Sequence, residues 1–209
     1  MSVVESLLFA TGNAHKLREV GQILAGVSMS VHGLDWLASV PAEPEETGRT
    51  FIANAVLKAQ YYARHAQQLT LAEDSGLEVD ALEGEPGVRS ARFAGASGPR
   101  EIVDRANNDL LLRRLAEVAD AARTARFVCA MAVCDARRTW AVVRGTVEGV
   151  ILREPRGSHG FGYDPLFFVP AEHATTAELP PERKNAISHR GEASRKMAST
   201  LRLLLDRAR

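Results

Sequence analysis

The segment LAEDSGLEVDAL, residues 71 to 82, places two adjacent carboxylates in a largely apolar stretch. Its apolar residues predict two short strands, with Glu73, Asp74, Ser75 and Gly76 in a turn between them. Burying one unpaired carboxylate costs several kcal/mol, which is comparable with the stability of a whole domain. The pattern therefore predicts that a cation faces the pair, either Mg²⁺ or a lysine. The alternative is that both carboxylates are solvated turn residues.

The N-terminal part of the chain has the pattern of a strand, a turn and a helix. Residues 5 to 11 are predicted to form a buried strand, and apolar residues recur at helical spacing after Asn13. The start of a helix offers free backbone N–H groups and the positive end of the helix dipole, which together suit an anion. Thr11 and Asn13 can add donors, and Lys16 can place an ammonium on a phosphate. The simpler alternative is a helix capped by Asn13 beside a solvated lysine.

A second predicted helix, over residues 50 to 66, follows a short predicted strand near residues 29 to 34. Asn54 and Lys58 share one face of this helix. An acidic cluster precedes it, formed by Glu43, Glu45 and Glu46. The helix dipole alone favours such a cluster, and a contribution to metal binding is the other interpretation.

The central part of the chain predicts one more helix and two long strands. The helix spans residues 99 to 119, and the strands span 125 to 135 and 139 to 152, most simply as an antiparallel hairpin. The predicted buried side of the helix consists of Ile102, Val103, Ala106, Leu110 and Leu111. Parallel βα units followed by a hairpin predict an α/β protein with a mixed sheet.

The last third of the chain contains a glycine-rich aromatic segment, REPRGSHGFGYDPLFFVP, residues 153 to 170. Phe161, flanked by glycines and followed by Asp164, can stack on a planar ring while the carboxylate accepts hydrogen bonds from the edge of that ring. The alternative is a tight loop whose aromatic residues fill the core. Three basic residues follow: Lys184, His189 and Arg190. If a turn brings them together, they form a donor cluster for phosphate or carbonyl oxygens; singly, each is a surface charge.

Composition limits the possible functions. The chain has 209 residues and a formal net charge of zero, which argues against bulk binding to nucleic acid. Cys129 and Cys134 are five residues apart in a strand-like run, on opposite faces, so we expect free thiols and a reducing cytoplasm. No apolar run reaches the roughly 20 residues of a membrane helix, and the N-terminus lacks the pattern of a signal peptide.

Five motifs in order resemble the inosine/xanthosine triphosphate pyrophosphatases, also called the Ham1 family. They are TGNAHK at 11–16, EETGRTFIANAVLKA at 45–59, EDSGLEVDALEGEPGVRSARFAG at 73–95, REPRGSHGFGYDPLFF at 153–168 and ERKNAISHRGEA at 182–193. The resemblance implies one ITPase-like domain over residues 1 to 209, with a long twisted mixed sheet, flanking helices and two lobes around a substrate cleft. It also implies a homodimer that hydrolyses ITP, dITP and XTP to the monophosphate and pyrophosphate with Mg²⁺, removing deaminated purines from the nucleotide pool.

The resemblance also implies a role for each matching residue. Asp74 would bind metal and act as general base, and Lys16 would hold the phosphates. A second metal carboxylate would be Glu45, with Glu46 as the alternative. The implied substrate-binding residues are Thr11, Gly12, Asn13, Ala14, His15, Lys16, Ser75, Phe161, Gly162, Tyr163, Asp164, Lys184, His189 and Arg190.

Two positions depart from the family pattern. Glu73 stands where aspartate is usual, and His159 where glycine is common. Two rival functions are a Maf-like nucleotide pyrophosphatase of other base specificity and a non-catalytic nucleotide-binding module. The absence of a GxxxxGK[ST] motif from the sequence argues against a P-loop NTPase.

Overall fold

The structure, a computed structural model, describes residues 6 to 206 apart from the side chain of His15. Within those residues the strands are β1 (Ser6–Phe9), β2 (Ser30–His32), β3 (Thr70–Val79), β4 (Thr124–Cys134), β5 (Thr139–Ile151), β6 (Phe167–Val169) and β7 (Ala174–Thr175). The α-helices are α1 (Ala14–Leu24), α2 (Phe51–Ala66), α3 (Arg100–Arg114), α4 (Pro181–Ile187) and α5 (His189–Asp206).

The strands form a mixed sheet in the order β2-β1-β3-β4-β5-β6-β7. β1 pairs in parallel with β2 and β3, whereas β6 is antiparallel to β5 and β7. Parallel neighbours need a crossover connection, and α1 and α2 provide the crossovers after β1 and β2. β4 and β5 are neighbours joined by a short turn, in which the Asp135 N–H donates to the Arg138 carbonyl at 3.0 Å. The predicted α/β class and mixed sheet are therefore confirmed.

The predicted turn at residues 73 to 76 is wrong. A single strand, β3, runs unbroken through this segment, and most of its residues are buried. Carboxylates are tolerated in the middle of a buried strand only when polar partners meet them. Such partners come from α1, α2 and α5, which the sequence of β3 alone does not reveal.

The predicted burial of α3 also needs correction. The helix ends at Arg114 rather than near residue 119, and Ile102, predicted to be buried, is 53% exposed. Asn107 and Leu111 are the buried residues of this helix. The Asn107 amide accepts from the Ala94 N–H at 2.8 Å and donates to nearby carbonyls, so a polar contact determines which side of the helix faces inward.

The chain divides into two compact units. The first comprises the described residues of Met1–Asp74, Cys129–Gly145 and His189–Arg209, and the second comprises Ser75–Val128 and Thr146–Ser188. Each unit has its own apolar core: Phe9, Leu24, Leu71, Met131 and Met197 lie in the first, and Leu77, Leu111, Ile151, Leu166 and Phe167 in the second. The interpretation as one domain with two lobes stays a prediction.

Among residues 6 to 206, no helix has both the length and the apolar character needed to cross a membrane.

Candidate active site

In the first unit, the two adjacent carboxylates of β3 are both buried. Glu73 is 3% exposed and Asp74 is 7% exposed. Successive side chains of a strand point to opposite faces of the sheet, so the two carboxylates meet different neighbours. This alternation gives two chemically different environments at consecutive positions.

Glu73 accepts hydrogen bonds from two cations. Arg190 Nε donates to Glu73 Oε2 at 2.9 Å, and Lys16 Nζ lies 2.8 Å from Glu73 Oε1. Arg190 Nη1 also donates to Glu19 Oε2 at 2.9 Å. Burial raises the pKa of Glu73, but Arg190 and Lys16 lower it by more, so the pKa lies well below its usual value. A cation therefore faces Glu73, as predicted, and the solvated alternative is wrong for this residue.

A buried thiol completes the surroundings of Glu73. Cys129 Sγ lies 3.6 Å from Glu73 Oε2. Burial, followed by the negative charge of Glu73, raises the pKa of the Cys129 thiol well above its usual value. Cys129 and Cys134 are both free and buried, which confirms the prediction of unpaired thiols. Cys129 is therefore a protonated thiol at neutral pH, not a nucleophile.

Asp74 is held by an amide and lies further from a cation. Asn54 Nδ2 donates to Asp74 Oδ2 at 2.9 Å, and Lys58 Nζ lies 4.0 Å from Asp74 Oδ1. The same ammonium lies 2.6 Å from Glu46 Oε1. Burial raises the pKa of Asp74, and Lys58 and Asn54 only partly oppose this effect. Two carboxylates thus share one lysine, which leaves a net negative charge.

The orientation of the Asn54 amide is set by the loop before α2. The Gly48 N–H donates to Asn54 Oδ1 at 2.8 Å, so Nδ2 is left to face Asp74. A Cβ on Gly48 would lie 2.5 Å from Asn54 Oδ1, which is too close for any other residue. Thr50 caps α2 by accepting from the Ala53 N–H at 3.1 Å. In this loop, Glu45 is exposed, whereas Glu46 reaches the lysine that approaches Asp74.

The turn between β1 and α1 is ordered by its own side chains. Thr11 Oγ1 accepts from the Asn13 N–H at 3.1 Å, and Asn13 Oδ1 accepts from the Lys16 N–H at 3.3 Å. Asn13 therefore caps α1, as one interpretation predicted. The Lys16 ammonium is not simply solvated, however, since Glu73 holds it. Gly12 and Ala14 are exposed in this turn, and the side chain predicted at His15 lies outside the described residues.

The first turn of α5 packs closely on β5 within the first unit. α5 begins at His189, so Arg190 lies at its start. A Cβ on Gly145 would lie 2.5 Å from the Ala193 N and even closer to the His189 carbonyl oxygen. Only glycine permits this approach, and the approach places the first turn of α5, with Arg190, where the side chain reaches Glu73.

In the second unit, Asp164 organises the glycine-rich segment. Its Oδ2 accepts from the Phe161 N–H at 2.8 Å and from Lys184 Nζ at 2.6 Å, and its Oδ1 accepts from Thr176 Oγ1 at 2.8 Å. Gly160 has a φ of +81°, and a Cβ at this position would collide with Asp164 Oδ2. The loop around Phe161 is therefore shaped by Asp164 itself.

The two aromatic residues of this loop have different environments. Tyr163 is 4% exposed, and its hydroxyl donates to the Ser90 carbonyl at 2.8 Å. Tyr163 therefore fills the core of the second unit. Phe161 is only half-buried, with the Lys184 ammonium 5.3 Å and the Arg100 guanidinium 4.9 Å from its ring centroid. Phe161 is the member of the pair whose ring can meet a ligand.

The peptide of Gly162 is held by α3. Asp104 Oδ2 accepts from the Gly162 N–H at 2.8 Å, and Asn108 Nδ2 donates to the Gly162 carbonyl at 3.0 Å. Gly162 has a φ of +63°, a conformation that favours glycine. Both polar groups of this residue are thus bound by one helix.

The structure distributes the predicted site residues over the two units. The first contains Thr11, Gly12, Asn13, Ala14, Lys16, Asp74, His189 and Arg190, and the second contains Ser75, Phe161, Gly162, Tyr163, Asp164 and Lys184. Within the first, Lys16 and Arg190 come together on Glu73; within the second, Phe161 and Lys184 come together on Asp164. The predicted joint cluster of Lys184, His189 and Arg190 stays a prediction.

Sequence interpretation gave no role to several residues that contact predicted ones. Among them are Asn54, Lys58, Asp104 and Asn108. The shared helical face of Asn54 and Lys58 was a usable signal, since two polar residues four apart lie on the same side of a helix and can meet the same partner. Asp104 and Asn108 also lie four residues apart in one helix, but the prediction for that helix used only its apolar residues.

The fold and the buried carboxylates define an α/β protein with an acidic, lysine-containing site. A model of the Ham1 family matches residues 7–200, and the chain belongs to this family. A dITP/XTP pyrophosphatase of an Exiguobacterium species is 47% identical over 195 residues, covering 93% of this chain and 96% of the relative. A dITP/XTP pyrophosphatase of Geobacter sulfurreducens is 48% identical over 187 residues, covering 90% and 92%. A solved HAM1 protein from Coxiella burnetii has a TM-score of 0.85 and 38% identity, covering 94% of this chain and 98% of that one.

Proposed function

We propose that this protein hydrolyses noncanonical purine nucleoside triphosphates, namely ITP, dITP and XTP, to the nucleoside monophosphate and pyrophosphate. The observation that carries the proposal is the buried Asp74, held by the Asn54 amide and set apart from the fully paired Glu73. The dITP/XTP pyrophosphatases that the chain resembles over more than nine-tenths of its length support the same reaction.

The residues around Asp74 fit a magnesium ion. Mg²⁺ is commonly bound by one or two carboxylates together with water and substrate phosphates. Asp74 and Glu46 both approach the Lys58 ammonium, and two carboxylates beside one ammonium leave negative charge that a divalent cation would reduce. No cluster of three or more metal-ligating side chains occurs in residues 6 to 206, so the substrate phosphates and water would have to supply the remaining ligands. When bound, the ion would neutralise phosphate charge in the transition state.

Of the two candidate glutamates, the geometry favours Glu46. Its carboxylate reaches the lysine next to Asp74, and its charge helps to raise the pKa of Asp74. Glu45 is exposed to solvent and makes no such contact among the described residues. We propose Asp74 and Glu46 as the metal carboxylates.

Asp74 is the proposed general base. It would accept a proton from the water that attacks the α phosphorus, while the bond to the β phosphate breaks and pyrophosphate leaves. Without the ion, burial raises the pKa of Asp74, which favours this carboxylate over Glu73 as the proton acceptor. The bond from Asn54 fixes Oδ2, which leaves Oδ1 for the proton.

Lys16 and the start of α1 are proposed to hold the phosphates. The backbone of the turn offers N–H groups at the positive end of the helix, and Thr11 and Asn13 keep that turn in shape. Lys16 can exchange part of its contact with Glu73 for a phosphate oxygen, because its side chain is 22% exposed. Arg190, 4% exposed at its side chain, stays on Glu73 and anchors this carboxylate.

The second unit carries the proposed base-recognition groups. Phe161 would stack on the purine, and Lys184 would donate to the six-position oxygen. An ammonium can only donate, so it bonds the oxygen of hypoxanthine or xanthine but not the amino group of adenine. An unpaired buried polar group costs about 1–3 kcal/mol, roughly tenfold or more in selectivity against ATP.

Pyrophosphate release tests this proposal directly. The purified protein with Mg²⁺ is expected to form pyrophosphate rapidly from ITP, dITP and XTP, and slowly from ATP, GTP and the pyrimidine triphosphates. Release of orthophosphate would mean that another bond is cleaved. Preference for modified pyrimidines would favour the Maf-like alternative, and nucleotide binding without any turnover would favour the non-catalytic module.

The homodimer that the resemblance implies and the cytoplasmic location expected from the cysteines are also proposals. The two free buried thiols support a reducing compartment. Light scattering of the full chain at several concentrations measures the assembly, and a monomer at all of them would contradict the dimer.

A further inference from the structure

The middle of α3 makes polar contacts that its apolar residues do not require. Asp104 accepts from the Gly162 N–H at 2.8 Å, and Asn108 donates to the Gly162 carbonyl at 3.0 Å. A helix held only by its core would need neither bond. Both bonds end on the residue that follows Phe161, the ring proposed to stack on the purine.

We propose that Asp104 and Asn108 are positioning residues for base recognition, acting through the Gly162 peptide on the Phe161 ring. The proposal rests on the proposed function, because it assigns Phe161 to the purine. Hydrogen bonds to both the N–H and the carbonyl of Gly162 fix the planes of the two peptide groups on either side of it. They thereby fix the direction of the neighbouring side chains. The two residues lie one helical turn apart, so a single rigid element supplies both contacts.

Besides the Gly162 N–H, Asp104 also binds the Arg100 guanidinium, which lies over the Phe161 ring. Arg100 Nε donates to both oxygens of Asp104 at 3.2 Å, and the Arg100 guanidinium lies 4.9 Å from the centroid of Phe161. The side chain of Arg100 is 56% exposed and that of Asp104 is 17% exposed. Asp104 therefore holds both the backbone beside Phe161 and the guanidinium that covers its ring.

The Asn108 side chain shows that its bond to Gly162 determines its orientation. Its Oδ1 is buried and has no hydrogen-bond partner among the described residues. Leaving a buried acceptor unpaired is unfavourable, so this orientation of the amide does not come from pairing all of its polar atoms. The bond from Nδ2 to the Gly162 carbonyl is the contact that this orientation preserves.

Backbone hydrogen exchange tests the grip without reference to activity. In Asp104→Ala, exchange at the Gly162 amide is expected to rise about tenfold, as expected for loss of a bond to a charged acceptor. Asp104→Asn keeps an acceptor and is expected to restore most of the protection. Asp109→Ala is the matched control, because Asp109 is an exposed residue of the same helix. Unchanged exchange in both Asp104→Ala and Asn108→Ala would overturn the proposal.

Steady-state kinetics test the use of the grip in base recognition. KM for ITP is expected to rise about tenfold in Asp104→Ala and Asn108→Ala, with kcat within about twofold and a smaller preference for ITP over ATP. A fall in kcat alone, or unchanged KM and base preference despite faster exchange, would mean a structural role only and overturn the proposal. If the wild type turns over no nucleotide, the proposed function fails, whereas hydrogen exchange still tests whether Asp104 and Asn108 hold the Gly162 peptide groups.

Discussion

Glu73 and Asp74 are consecutive carboxylates in one strand, yet their environments are opposite. Glu73 is held by a guanidinium and an ammonium, and its pKa is lowered. Asp74 is held by a neutral amide, with the nearest ammonium 4.0 Å away, and its pKa is raised. Burial is common to both, so the partners account for the difference.

In the proposed mechanism, this difference separates an anchoring carboxylate, Glu73, from a reactive one, Asp74. A fully paired carboxylate organises the cations around it but is a poor base, because its proton affinity is low. A buried carboxylate held by an amide keeps its proton affinity and an available oxygen. Charge alone therefore does not identify the reactive member of a carboxylate pair, whereas the partners of each side chain do.

The largest expected effect is on turnover by Asp74→Asn. The substitution keeps the shape and an acceptor for Asn54 but removes the base, so kcat is expected to fall about 10³-fold, within the range for general-base catalysis. The melting temperature should stay level or rise, because the ionised carboxylate is disfavoured by burial. Stopped-flow or discontinuous pyrophosphate assays and calorimetry measure the two quantities. Wild-type turnover in this variant would remove Asp74 from the mechanism.

Glu73→Gln is expected to act mainly on stability. Removing the carboxylate takes one anionic partner from the buried Arg190, and breaking a buried pair costs about 3–5 kcal/mol. Urea denaturation measures the loss. If Asp74→Asn destabilises more than Glu73→Gln, the contrast between the two carboxylates is wrong.

The ion pairs of Glu73 with Arg190 and Lys16 predict a pH dependence of the free energy of unfolding. The folded pKa of Glu73 is lowered, so its contribution is fully present above the unfolded value and is lost as pH falls through the folded value. The difference in unfolding free energy between the wild type and Glu73→Gln should therefore be constant near neutral pH and shrink in acid. A difference that grows on acidification would contradict the direction of the shift.

Lys16→Ala is expected to lower kcat/KM by about 100-fold, since an ammonium that stabilises phosphate charge contributes on the order of an oxyanion donor. Its effect on stability should be smaller than that of Glu73→Gln, because Arg190 still neutralises Glu73. Kinetics with ITP measure the first effect. Arg18→Ala, on the exposed side of α1, is the matched control.

The smallest expected effect separates Glu46 from Glu45. Glu46→Gln should raise the Mg²⁺ concentration for half-maximal rate by about tenfold, the range for a weakened metal ligand shell. Glu45→Gln, at an exposed neighbouring position, should leave it unchanged. Magnesium titrations of both variants decide the assignment, and the reverse outcome would return the metal role to Glu45.

Much of the fold follows from local sequence patterns. The apolar period after Asn13 predicts α1, and the cap at Thr50 and the small residues after it predict α2, because these signals lie within one element. β3 was split in the prediction because its charged centre looks like a turn. The reason that it is not a turn lies in Arg190, which is 117 residues away along the chain.

The site shows the same limit. Motif resemblance identifies Lys16, Asp74 and Asp164 as candidates but does not reveal what each one contacts. Asp164 was expected to accept from a ligand, whereas its oxygens bind Phe161, Thr176 and Lys184. Such pairings depend on how separate segments pack, and no periodicity in a single segment records them.

Gly145 shows how a position without any reactive group can matter to the chemistry. It sets the closest distance between β5 and the first turn of α5, since a methyl group there would meet the backbone of His189 and Ala193. A screen for activity would report substitutions at this glycine as functional hits, although no substrate need touch it. When inhibitors or variants of this protein are interpreted, the contact between Gly145 and the backbone of α5 therefore belongs to the region in which substitutions are expected to affect activity.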